Sequence, residues 1–117
     1  MVFLGSNDMM QGLSAQEVAA RMEAFLGRLT AYPLLLLTPV PMVSGTWVTE
    51  ERLVTESAKL ADYYKALARR LGIHYANPGA WDIEMAFDGV HYSEEGHRVF
   101  ALRMQDTLES ISSHTMP

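Results

Sequence analysis

The chain contains no cysteine. Disulfides, thiolate metal sites and a thiol nucleophile are therefore excluded. The absence fits a reducing compartment, so a cytoplasmic location is the expectation. Long apolar runs are also missing. Even the longest, such as Leu34 to Leu37, are far short of the ~20 residues a membrane-spanning helix needs. The N-terminus has neither the basic region nor the long apolar stretch of a secretion signal. Positive charge is scarce: 9 Lys and Arg stand against 14 Asp and Glu, for a net charge of -5. Only Arg69 and Arg70 are adjacent. Binding a phosphate backbone takes clustered cations, which excludes nucleic acid as a partner. The four histidines, His74, His91, His97 and His114, include no pair at i, i+4 spacing. No metal site follows from them, and no cofactor is expected.

What is present reads as one globular unit spanning residues 1–117. At 117 residues the chain can bury about two-thirds of its unfolded surface. Met1-Val2-Phe3-Leu4 reads as a short buried strand ending at Gly5. Ser14-Ala15-Gln16-Glu17 is a capping box opening a helix expected to reach about Ala31. Val18, Met22, Phe25, Leu26 and Leu29 form its apolar face. Leu34-Leu35-Leu36-Leu37-Thr38 is a strand without polar alternation, as a strand covered on both faces requires. An irregular loop, 42–48, follows with Gly45 at its centre. A second long helix is expected from about Glu50 to Leu71, with Gly72 placed to end it. Ile73 to Ala76 reads as a third strand. Asn77-Pro78-Gly79 turns the chain, Ser93 caps a last helix to about Ile111, and 112–117 reads as a tail. Strands alternating with such helices form a parallel sheet.

Three residues invite a chemical reading. Asp88 precedes His91 by three positions in Asp88-Gly89-Val90-His91. A carboxylate there can bond one imidazole nitrogen and leave the other to act as a base. Asn7, in Gly5-Ser6-Asn7-Asp8, follows the first strand and has an amide suited to a developing oxyanion. Each segment also has a plain structural reading, as a surface turn and as an Asx-turn. Their positions beyond the carboxyl ends of parallel strands would bring them to one rim, where open α/β sheets bind ligands. Ser6 follows Gly5 at a strand end and so superficially resembles a nucleophile, but a nucleophile also needs a base within about 3 Å and an oxyanion site beside it. His97 reads as structural. Trp47 and Trp81 read as pocket walls or loop anchors.

These segments together resemble the C-terminal portion of the SGNH hydrolases, the GDSL lipase/acylhydrolase family. Gly5-Ser6-Asn7-Asp8 is similar to the third block, G-x-N-D, and Asp88-Gly89-Val90-His91 to the fifth, D-x-x-H. Tyr92-Ser93-Glu94-Glu95-Gly96-His97 and Leu35 to Pro41 also resemble their counterparts. The resemblance implies a three-layer, flavodoxin-like α/β fold cut to about three parallel strands. It implies Asp88 and His91 as triad members, Asn7 as oxyanion donor and an acyl ester as substrate of the intact enzyme. The blocks carrying the nucleophilic serine and the oxyanion glycine would precede residue 1. This chain would then hold no nucleophile and be inactive, or nearly so, alone. The alternative is a non-catalytic interaction module. Either way, an open edge at residues 1–4 leads to an expected homo-oligomer joined through the N-terminal strand.

Overall fold

The computed structural model describes residues 1–115. Its core is a parallel sheet in the order β1 (Val2–Phe3), β2 (Leu35–Leu37) and β3 (His74–Ala76). Val2 pairs with Leu36, and Leu36 pairs in turn with Tyr75. The helices are α1 (Ser6–Met10), α2 (Ala15–Leu26), α3 (Glu51–Leu71) and α4 (Glu94–Thr115), with a 3₁₀ turn at Pro78–Ala80. No helix among the described residues is long and apolar enough to cross a membrane.

The all-apolar β2 has a direct structural cause. Leu34 and Leu36 join Val2 on the face packed by α1, α2 and α3, where Val18, Met22, Leu26, Leu60, Tyr64 and Leu67 are buried. Leu35 and Leu37 face the other way, with Phe3, Trp81, Phe100 and Met104. Successive strand residues point to opposite faces, so a central strand with helices on both sides has no room for a polar side chain. The result is the three-layer α/β/α arrangement implied by the sequence.

Helix ends follow their local chemistry. Ser14 Oγ accepts from Glu17 N–H at 3.2 Å, and Glu17 Oε1 accepts from Ser14 N–H at 3.2 Å. Both halves of the capping box are therefore formed. Gly72 ends α3 with φ 66, and its N–H returns to the Arg69 carbonyl.

Three expectations need correction. Helix α2 stops at Leu26 rather than about Ala31. Beyond Gly27 the chain tightens into i→i−3 bonds, Arg28 N–H to Phe25 O and Leu29 N–H to Leu26 O, and Pro33 opposes helix in the residue before it. Phe25, placed on the apolar face, is exposed, because the helix turns it away from the sheet. Helix α4 runs past Ile111 to Thr115, since no glycine or proline interrupts it before Pro117. Only Met116 and Pro117 of the expected tail lie outside the described residues.

Candidate active site

The Asp88–His91 segment forms a tight turn whose donors converge on one carboxylate. Asp88 Oδ1 accepts from the N–H groups of Val90 at 2.8 Å and His91 at 2.9 Å. Its Oδ2 lies 2.6 Å from His91 Nδ1. These backbone donors, His91's first, hold the Asp88 carboxyl below its usual range against an opposing desolvation effect. Asp88 is thus an anion and accepts, so Nδ1 is the ring donor toward it, and in a neutral imidazole Nε2 is the nitrogen left as acceptor. The Asp88 side chain is 11% exposed and that of His91 60%, so a buried anion orients an accessible ring.

The turn is laced to the loop at 42–48. Gly89 O accepts from Val43 N–H at 3.1 Å, Phe87 O from Thr46 N–H at 3.1 Å, and Asp88 O from Trp47 N–H at 3.0 Å. Two glycines make this approach possible. A Cβ on Gly45 would stand 2.6 Å from the Asp88 carbonyl carbon, and one on Gly89, at φ 85, would meet the Val43 carbonyl oxygen. The reading of 42–48 as an irregular loop missed this role. The pairing is long-range and leaves no periodic signal, although a glycine in each partner was visible.

Asn7 arrives from the opposite side. The sequence predicts a simple turn after Gly5; the chain instead winds into the five-residue α1, with Asn7 in its first turn. Two distant side chains hold that segment. Tyr64 Oη donates to Leu4 O at 2.9 Å, and Arg52 Nη2 donates to Met9 O at 2.8 Å. Tyr64 is fully buried, and desolvation pushes its hydroxyl pKa up, so it stays a donor at any ordinary pH.

A groove of about 450 Å³ joins the two segments. Asn7 and His91 both line it, with Ser6 beside Asn7, Pro39 and Val40 beyond β2, and Tyr92 and His97 on the far wall. The residues following each strand thus meet at one rim, as expected for a parallel sheet. Tyr92 is pushed up to about 12 by burial, although its bond to the Val40 backbone opposes the shift. His97 packs its ring against Tyr92, with centroids 5.4 Å apart. Beneath the rim, Tyr75 Oη donates to Ala61 O at 3.1 Å and accepts from Thr38 Oγ1 at 2.7 Å, tying the end of β2 to α3. Trp81 packs on Phe100 away from the groove, and Trp47 stands beside His91. Among the described residues no group of three or more acidic or histidine side chains is arranged to hold a metal ion.

The architecture is shared with solved esterases. An aryl esterase from M. smegmatis superposes with a TM-score of 0.82 at 19% identity, covering 92% of this chain and 58% of its own. A carbohydrate acetylesterase from Sinorhizobium meliloti gives a TM-score of 0.81 at 20% identity, covering 93% of this chain and 59% of its own. This chain therefore spans under two-thirds of the length of either. No curated protein matches it. The family profile of the GDSL-like Lipase/Acylhydrolase family matches residues 1–99. By that match, together with the α/β/α fold, the chain belongs to the GDSL-like lipase/acylhydrolase family.

Proposed function

We propose that these residues carry the acid–base and oxyanion half of a serine ester hydrolase site. The observation behind this reading is the 2.6 Å Asp88–His91 contact on the same groove as Asn7. In the proposed reaction a serine hydroxyl attacks the acyl carbonyl while His91 Nε2 takes its proton. Asp88 stabilises the imidazolium and keeps Nδ1 as the donor. Asn7 Nδ2 donates to the carbonyl oxygen as it becomes an anion. Losing one such donor typically costs about 100- to 1,000-fold in rate. His91 then returns the proton to the departing alkoxide, and water repeats the sequence on the acyl-enzyme. The aryl esterase and carbohydrate acetylesterase named above make small acyl esters the first substrates to try.

The serine is the part we do not assign within these 117 residues. Ser6 lines the groove, but it shares the first turn of α1 with Asn7, and a nucleophile needs the base within about 3 Å and an oxyanion donor beyond it. The purified 117-residue chain is accordingly expected to hydrolyse p-nitrophenyl acetate no faster than its His91→Ala variant. Turnover abolished by both Ser6→Ala and His91→Ala would make Ser6 the nucleophile and overturn this division of the site. Titration with methylphosphonate, a charge mimic of the tetrahedral intermediate, tests the remaining half by NMR. The Asn7 side-chain amide and the His91 ring signals are expected to shift together. Shifts at neither would remove the proposed roles.

Self-association belongs to the same proposal. Strand β1 has β2 as its sole neighbour among the described residues, and Met1 and Leu4 beside it are 67% and 57% exposed. An open edge flanked by apolar side chains favours pairing with a second copy, most simply across a two-fold axis. Sedimentation equilibrium is expected to show a concentration-dependent dimer. A monodisperse monomer at the highest attainable concentration would refute the expectation.

A further inference from the structure

Trp47 touches both members of the Asp88–His91 pair by separate means. Its main-chain N–H donates to the Asp88 carbonyl oxygen at 3.0 Å. Its indole ring meets the His91 imidazole at 78°, with centroids 5.2 Å apart. This near-perpendicular, edge-on arrangement is one that aromatic pairs prefer. The loop bearing Trp47 is anchored in the core at both ends. Met42 and Val48 are buried, and Met42 N–H donates to Ser57 Oγ of α3 at 2.8 Å. Trp47 is 55% exposed and adds little to that core.

The His91 ring has one described hydrogen bond, to Asp88, and more than half of its side chain faces solvent. A single bond from a side chain three residues away leaves rotation of the imidazole weakly restrained. A second contact from another segment restrains it. We propose that Trp47 is a positioning residue for His91. Its backbone sets the turn that carries Asp88, and its ring keeps the imidazole in the rotamer where Nδ1 faces Asp88 and Nε2 is free. The importance of that rotamer for chemistry rests on the ester-hydrolase reading above. The contact itself does not.

Because the bond to Asp88 uses the main chain, trimming the side chain removes the ring contact and leaves the loop laced. The test is the hydrogen-bonded Nδ1 proton of His91, observed by NMR in ¹⁵N-histidine-labelled 117-residue chain and assigned by its loss in His91→Gln. Trp47→Ala is expected to broaden this signal and speed its exchange with water about two- to tenfold, the span of a typical aromatic pair. Trp47→Phe, which restores a ring edge, is expected to rescue it. Amide shifts remote from the loop report whether the fold is kept. If Trp47→Ala fails to fold, Trp47→Leu supplies bulk without a ring, and the signal is read there. An undiminished Nδ1 signal in Trp47→Ala or Trp47→Leu overturns the proposal, as does failure of Trp47→Phe to rescue. A signal that depends on Trp47 in a chain whose Asn7 and His91 signals do not respond to methylphosphonate supports the positioning role and removes only the proposed chemistry.

Discussion

Gly89→Ala is expected to destabilise the protein by about 2–3 kcal/mol and to lower its melting temperature by roughly 10 °C. Two costs combine. An L-residue at φ 85 bears about 1–2 kcal/mol of left-handed strain. The new methyl would also collide with the Val43 carbonyl oxygen, so the bond from Val43 N–H to Gly89 O must stretch or break, at about 1 kcal/mol. Gly12→Ala is the matched control. Gly12 also has positive φ, at 108, but nothing lies within 4 Å of its added carbon. Urea titration of both variants separates the collision from the strain. If they lose equal stability, the loop at 42–48 is not pressed against the Asp88 turn as described.

Tyr64→Ala is expected to be more damaging still, at about 3–5 kcal/mol, the range for removing a buried aromatic ring. A domain of this size is stable by only about 5–15 kcal/mol, so the variant sits near the edge of folding. Tyr64 is fully buried between α2 and the end of β1, and its hydroxyl is the donor to Leu4 O. Tyr64→Phe keeps the ring and loses only that bond, at a cost of about 1 kcal/mol. The two variants thus apportion packing and hydrogen bonding by chemical denaturation. They also differ in reach: the Tyr64→Phe change frees the carbonyl that leads into Gly5 and α1, which carries Asn7. A Tyr64→Phe variant as unstable as Tyr64→Ala would mean that the hydroxyl, not the ring, dominates.

The sequence carried most of the scaffold because its signals there are local or periodic. Ser14 with Glu17, the unbroken leucines of β2 and Gly72 after α3 each name an element boundary through nearby atoms alone. The pairing of Asp88 with His91 is likewise local, three residues apart, but that spacing also fits a plain surface turn, and it was the resemblance to the D-x-x-H block that pointed to the pair. The joining of Asn7 to His91 needed the parallel-sheet rule, which places strand ends at one rim without any contact being visible in the chain. What was not legible depends on tertiary contact. Helix α1 is five residues long and is held by Arg52 and Tyr64 from α3, so Ser6-Asn7-Asp8 looked like a turn. Phe25 fell at the margin of an apolar stripe, and α2 buries Val18, Met22 and Leu26 but leaves Phe25 exposed. The contact of Trp47 with His91 had no sequence signature, since neither segment encodes the other.

That lacing also sets a chronology. The carboxylate–imidazole contact spans three residues and can form early in a folding chain. The bonds that Val43, Thr46 and Trp47 make to the Asp88 turn join segments separated by all of α3 and β3. They cannot form until α3 and β3 have folded back far enough to bring the two segments together. These bonds join two loops at the rim, which makes the strap a natural place for opening short of global unfolding. Gentle heating or mild denaturant is then expected to weaken the His91 Nδ1 signal while the helices still read as native.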